Sequence, residues 1–297
     1  MHRASRRVLR RCSGYMLFAA LFLAPIRARV QLVQWMDGTE NCFGERSLYH
    51  NLGYWADGPG TLDAACDALA ELMARRADIG EGSRVLDVGC GFGDQDSYWV
   101  EHFRPAKLVG TDLMDFKVDL ARRRAAERLG REAPEFTTCS ATALPFSDND
   151  FDAVLSLEAS FHFITRADFF AEARRVLRPG GVLVLAEPAP IDGTQPNRVA
   201  EYLQRTVVAV PKENLYGASR YQELLGHKGF ADIRVESLRD EVYPHYMRYL
   251  GRRLADADIV ERVNPLVRAM WRGWVEQFDR AGEVAGQDYL LVSAVAR

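Results

Sequence analysis

The sequence predicts an α/β fold: a doubly wound, mostly parallel sheet with helices on both faces. Three observations predict it. The apolar β run Val85-Leu-Asp-Val88 leads into a turn with glycines at every second position, Gly89, Gly91 and Gly93, and helix-compatible sequence follows from Asp96 to Phe103. A second short run, Ala106 to Thr111, is followed at once by Asp112. A third, Phe151 to Leu157, reads as a buried strand behind the polar turn Asp148-Asn-Asp150. Strands alternating with helical stretches form βαβ units, whose crossovers cover both faces of a parallel sheet.

The glycine turn carries the chemistry. A strand feeding such a turn at a helix N-terminus lets the backbone come close to a ligand, so a nucleotide-like cofactor is expected. The spacing is Gly-x-Gly-x-Gly, whereas a dinucleotide turn needs Gly-x-Gly-x-x-Gly under its pyrophosphate. Asp94 would push negative charge toward a pyrophosphate, and Asp87, two residues before the first glycine, suits a ligand with a cationic amino-acid end. Asp112 lies 19 positions after Gly93, close to the roughly 20-residue offset at which an acid reaches a ribose in doubly wound sheets. Its alternative is an N-cap for a helix starting near Met114.

Downstream come Cys139-Ser-Ala-Thr-Ala-Leu-Pro-Phe146 and then Arg174-Arg-Val-Leu-Arg-Pro-Gly-Gly-Val-Leu-Val-Leu-Ala-Glu-Pro188. In the second, Arg178-Pro-Gly-Gly181 supplies turn chemistry: proline presets φ and glycine permits positive φ. Four motifs in order over residues 83–188 resemble the class I S-adenosylmethionine-dependent methyltransferases, and most of all the small-molecule O-methyltransferases of sugar, polyketide and nonribosomal products. The resemblance implies a seven-stranded Rossmann-like sheet with helical lid insertions and an antiparallel last strand, here Asp288 to Ala296. It implies S-adenosylmethionine as cofactor, released as S-adenosylhomocysteine. Around that cofactor it places Asp87, Gly89, Gly91, Gly93, Gln95, Asp112, Leu113, Ser140, Ala141 and Glu158. Ser140 departs from the family, which has an adenine-reading Asp there.

Composition agrees with an enzyme of this kind. A 297-residue chain that is 48% hydrophobic can bury a large core, and a net charge of −3 gives no reason to expect nucleic-acid binding. Five scattered cysteines, without Cys-x-x-Cys or Cys/His spacing, argue against a structural zinc and for a reducing compartment, with a cytoplasmic location expected.

Residues 1–36 stand apart, with seven arginines and no acid before Asp37. The apolar run Tyr15 to Ile26 is about a dozen residues, short of the ~20 that span a bilayer. Three readings stay open: a secretory signal with a poor cleavage site, a basic helix in weak contact with a membrane surface, and a helix covering the cofactor pocket behind a disordered start. The domain proper is then 37–297, with its cofactor core at 83–188 and lid and substrate insertions at 37–60, 191–229 and 243–286.

The first insertion holds His50-Asn-Leu-Gly-Tyr-Trp55. It resembles the segment that closes over cofactor and substrate in the same family, where Tyr49 and Tyr54 would meet the methionine moiety; plain lid packing is the alternative for each. Leu62, Ala65, Leu69, Leu72 and Met73 then recur at helical spacing. The second insertion has helical character over Arg198 to Val208, and the sixth strand falls within Phe230 to Val242. In the third, Asn264-Pro265 is a good N-cap and N1 pair. Leu266, Met270, Trp274 and Phe278 make one apolar stripe, with Val267, Trp271 and Val275 beside it, and core is expected for most of both. Such a wall suits a bulky hydrophobic acceptor.

Methyl transfer is an in-line displacement at an activated carbon, helped by alignment and exclusion of water. A hydroxyl acceptor must also lose a proton, so a base is needed. His162, just past the fourth strand, faces the ligand crevice of an open α/β sheet, and related methyltransferases resemble this chain in having a histidine there. Packing under the lid is its alternative. Glu187, at the end of the fifth strand, is expected to orient the base or bind the acceptor. No metal-ligand cluster accompanies them, so no metal is expected. The reading is O-methylation of a small hydrophobic metabolite. N- or C-methylation, as in the sarcosine-type and tocopherol-type relatives, and an inactive cofactor-binding protein are the alternatives. Oligomeric state is not readable.

Overall fold

The computed structural model describes residues 38–194, 210–284 and 286–297. Seven strands form one sheet: β1 (Arg84–Val88), β2 (Lys107–Asp112), β3 (Glu135–Thr138), β4 (Phe151–Leu157), β5 (Leu177–Pro190), β6 (Phe230–Ser237) and β7 (Gln287–Ala296). Their order is β3-β2-β1-β4-β5-β7-β6. All pairs are parallel except those of β7, which runs antiparallel to both β5 and β6. The expected doubly wound, mostly parallel sheet is therefore present. Its strand order reverses between β1 and β4, and the crevice beyond their carboxyl ends is where such sheets bind ligands.

The inner strands β1, β2, β4, β5 and β7 are buried on both sides over most of their length, which is why they read as nearly continuous apolar runs. Val85, Leu155, Val184 and Leu291 face one layer with α1 (Leu62–Arg76), α2 (Asp94–Phe103) and α6 (Arg239–Arg253). Leu86, Val154, Leu183, Leu185 and Leu290 face the other, with α4 (Arg166–Val176) and α5 (Ala218–His227). A smaller group, Val118, Ala121, Ala125 and Phe136, seats α3 (Asp115–Leu129) beside the glycine turn. The Thr61 hydroxyl caps α1, accepting from Ala64 N–H, and a Thr165–Asp168 capping box starts α4.

Several expectations shift. α6 begins at Arg239, four residues before the boundary drawn from the sequence, and is followed by α7 (Ala257–Arg262) and α8 (Pro265–Ala281). Asn264 caps α8 as expected, its side chain accepting from Leu266 N–H. Of the two α8 stripes only one goes in: Val267 and Val275 are buried and Trp271 packs beside them, while Trp274 is 39% exposed. A helix docked along one face of α6 buries one stripe. The expectations for residues 1–36 and for a helix over 198–208 fall outside the described residues. No helix among the described residues is long and apolar enough to cross a membrane.

Candidate active site

The glycine turn lies at the carboxyl end of β1, with positive φ at all three glycines. Each is glycine for a different reason. A Cβ on Gly89 would stand 2.2 Å from that of Ala159, and one on Gly93 would press on Phe136 and Ala121 at 2.9 and 3.0 Å. A Cβ on Gly91 would meet nothing within 4 Å, so this glycine faces open space. The turn's N–H groups are largely used up. Those of Gly89 and Cys90 donate to Thr111 O, that of Gly91 to Asp112 Oδ2, and that of Gly93 to Cys90 O. A ring of free donors for a phosphate, the basis of anion binding at such turns, is therefore missing.

Carboxyl groups surround this turn. Asp87 is fully buried; Gln95 Nε2 donates to its Oδ2 at 2.9 Å, and the equally buried carboxyl of Asp96 shares a hydrogen bond with it. Burial pushes its carboxyl up to about 7, with Asp112 adding to the rise and hydrogen bonds from Gln95 and Asp96 opposing it. Gln95 also donates to Cys90 O, so it braces the turn from beneath. Asp94 takes a bidentate pair from Arg124 at 2.7 Å, and its charge is directed there.

Asp112 closes β2. Its Oδ1 accepts from Met114 N–H at 2.9 Å, but the cap of α3 is Met114 itself, which corrects the capping alternative. Leu113 beside it is 64% exposed and Phe116 44%, an apolar surface at the edge of the crevice. The Ser140 hydroxyl lies 3.0 Å from that of Thr142 within its own loop, next to Ala141, and accepts from Thr142 N–H.

The first insertion lies over the turn, as His50 stacks at 5.5 Å on Phe92 between Gly91 and Gly93. Tyr49 is buried, and its hydroxyl donates to Asp67 of α1 at 2.9 Å. Tyr54 is half-buried, with Glu241 and Asp57 its nearest charges. The insertion is tied down by Glu158, at the end of β4, whose Oε1 accepts from Leu52 N–H at 2.8 Å and from the Tyr289 hydroxyl at 2.7 Å. Burial drives the Glu158 carboxyl up to about 8, so it is largely protonated at neutral pH.

His162 sits in a 3-10 turn, Ser160–His162, directly after β4. This turn touches the cofactor turn, since Ala159 and Phe163 are the side chains that meet Gly89. The Phe161 ring lies 4.1 Å from the imidazole. Glu187 is fully buried beneath. It accepts from the Ser160 hydroxyl at 2.6 Å, from Phe161 N–H at 3.0 Å and from the Tyr221 hydroxyl, and it pairs with Arg166 at 3.3 Å. Of the two roles expected for Glu187, bracing the turn of His162 fits this geometry and direct contact with an acceptor does not, because its two oxygens are taken by Ser160, Phe161, Tyr221 and Arg166. His245 lies on α6. Among the described residues no group of three His, Cys, Asp or Glu side chains is placed to hold a metal ion.

A family model described as a methyltransferase domain matches residues 86–185, from β1 into β5. Erythromycin 3''-O-methyltransferase of Saccharopolyspora erythraea is 36% identical over 253 residues, covering 83% of each chain. The chain belongs to the S-adenosylmethionine-dependent methyltransferases. Geranyl diphosphate methyltransferase, solved in complex with SAM, shares the fold at 19% identity, with a TM-score of 0.66 and coverage of 84% of this chain and 99% of that one. The [4+2]-cyclase SpnF is 25% identical, with a TM-score of 0.67 and coverage of 83% and 88%.

The residues of this methyltransferase fit its cofactor. The space over Gly91 admits a ligand, and the carboxyl of Asp87, near the end of β1, is of the type suited to a cationic group. The exposed Leu113 offers an apolar face beside the Asp112 carboxylate. The network of Arg166, Tyr221 and Asn214 under the methyltransferase's His162 turn was not anticipated. Arg166 opens a helix and Asn214 lies in a loop, so no periodicity or motif marks either one.

Proposed function

We propose that this methyltransferase methylates a hydroxyl of a small hydrophobic metabolite, of the polyketide or nonribosomal class, with His162 as general base. The observation that supports the reading is the contact between the two turns: Ala159 and Phe163, on either side of the histidine turn, lie against Gly89 of the cofactor turn. Bound there, S-adenosylmethionine supplies a methyl group on a positively charged sulfur. Asp87 offers a carboxylate to its cationic end, and Asp112 offers one to the ribose hydroxyls. Leu113, Ser140 and Ala141 line the adenine side. The first insertion, with Tyr49 and Tyr54, excludes water from the reacting end. His162 Nε2 or Nδ1 accepts the acceptor's hydroxyl proton as the new bond to carbon forms. The 75% exposed Ile164, two residues further on, supplies apolar surface for the acceptor. The relative that is named for O-methylating erythromycin supports a bulky hydroxylated acceptor.

A protein that holds the cofactor without transferring methyl is the second reading. It is favoured by the likeness to SpnF, 25% identical, which is a [4+2]-cyclase. Calorimetry with S-adenosylmethionine and S-adenosylhomocysteine, together with turnover on long-chain alcohols, substituted phenols and macrolide glycosides, separates the two. His162→Ala should slow O-methylation by about 10²–10⁴-fold while leaving cofactor affinity unchanged. An undiminished rate in that variant overturns the base assignment and favours an amine or carbon acceptor.

A further inference from the structure

The backbone on both sides of His162 is held by one buried side chain. Asn214, 1% exposed, lies in a short 3-10 turn, Lys212–Asn214, that is remote from β4 in sequence. Its Nδ2 donates to Phe161 O at 3.0 Å and to Phe163 O at 2.7 Å, and its Oδ1 accepts from Arg166 N–H at 3.0 Å. The amide orientation is forced, because the opposite one would face oxygen with two carbonyls and an NH2 with a donor. Arg166 returns a bond from Nη1 to Asn214 O at 3.2 Å, and its guanidinium lies over the rings of both Tyr216 and Tyr221 at 4.6 and 4.7 Å. Glu187 holds Phe161 N–H from the other side. The peptide units 160–161, 161–162 and 163–164 are thus pinned, and the 162–163 unit is held by Phe163 N–H, which donates to Ser160 O at 3.2 Å.

We propose that Asn214 is a positioning residue for the reaction: by clamping the carbonyls of Phe161 and Phe163 it fixes where the His162 imidazole stands relative to the acceptor hydroxyl. The inference rests on the reading of His162 as base. Asparagine is the residue type that fits, with two donors and one acceptor on a short, planar group. Aspartate would set a carboxylate against two carbonyls, and leucine would leave two buried carbonyls and one N–H unpartnered.

The test is a double-mutant cycle on the full chain with Asn214→Ala, His162→Ala and the pair. Turnover is read on the most active member of the alcohol, phenol and macrolide panel, and cofactor affinity by calorimetry. Asn214→Ala should lower kcat about 10- to 100-fold, because an ångström of misplacement costs that much, with S-adenosylmethionine affinity held within threefold. The double variant should be no slower than His162→Ala alone. Asn214→Ser, which keeps one donor, should fall between wild type and Asn214→Ala. Nitrogen-15 spectra of the six histidines, with the His162 signal identified by its loss in His162→Ala, should show that resonance shifted or broadened in Asn214→Ala. Equal slowing by Asn214→Ala in the presence and absence of His162 overturns the proposal. So does an unchanged His162 signal, or loss of cofactor binding in both Asn214 variants, which would make the residue a folding element only. An undiminished rate in His162→Ala would instead overturn the base assignment.

Discussion

Leu52 and Glu158 stand 106 positions apart in the chain, yet the Leu52 N–H donates to the Glu158 carboxyl at 2.8 Å. Through this bond the end of the fourth strand holds the insertion that covers the cofactor turn. Glu158 adopts positive φ, and the same oxygen that takes Leu52 takes the Tyr289 hydroxyl. The bonds from Leu52 and Tyr289 favour the ionised carboxyl, but burial outweighs them, and this desolvation makes the site sensitive to pH.

Glu158 rises from an ordinary 4.5 to about 8 in the folded chain. Between those values the folded carboxyl keeps a proton that the unfolded one has lost. Stability from this group is therefore fully present below about 4.5 and declines as pH rises to about 8, by at most ~1.4 kcal/mol per pH unit. Glu158→Gln retains an oxygen for Leu52 and Tyr289 and cannot ionise. Thermal unfolding from pH 5 to 8 should show a shallower decline in the variant than in wild type. Parallel curves would count against the assignment.

Asp87 has the same sign over a narrower window, up to about 7. A cationic cofactor favours its ionised form, so S-adenosylmethionine should bind more tightly as pH rises from 6 to 8. Each unit by which the bound cation lowers the Asp87 carboxyl adds about tenfold in affinity. Calorimetry in buffers of differing ionisation enthalpy should register proton release on binding. Asp87→Asn should bind more weakly and lose this pH dependence.

The glycines separate fold from ligand. Gly89→Ala drives a methyl into Ala159 and should destabilise the apoprotein strongly, because neither backbone has room to move. Gly91→Ala meets nothing, so its cost is backbone strain at φ +58°, on the order of 1–2 kcal/mol. Its methyl enters the ligand's space instead. The Gly91 variant should unfold near the wild-type temperature while binding S-adenosylmethionine at least tenfold more weakly.

Arg166 and Glu187 are a fully buried ion pair, at 1% and 0% side-chain exposure. Replacing Arg166 by Met leaves a buried carboxylate without its cation, and should cost about 3–5 kcal/mol in denaturant unfolding. The double replacement with Glu187→Gln should recover part of that loss, since no unpaired charge is left behind.

The legible parts of this protein were those written in local pattern. The runs of β1, β2, β4 and β5 are apolar because both faces are covered, and Asn264-Pro265 marks the start of α8. Strand β3, by contrast, went unseen, because only Phe136 of its four residues is buried. The α8 stripes could not be ranked from periodicity, since which one goes in depends on where α6 lies.

Sequence alone determined the doubly wound sheet and the choice of S-adenosylmethionine, because glycine spacing and the acids Asp87 and Asp112 act over a few residues and one βαβ unit. Tertiary structure alone decided what those groups touch. Gln95 turned out to brace the turn, Asp94 to pair with Arg124, and Glu187 to lie under the histidine turn rather than in the pocket. It also decided that Asn214 clamps the peptides around His162. Such roles arise from hydrogen bonds between distant segments, and a buried polar group's partner is set by what the fold brings near it.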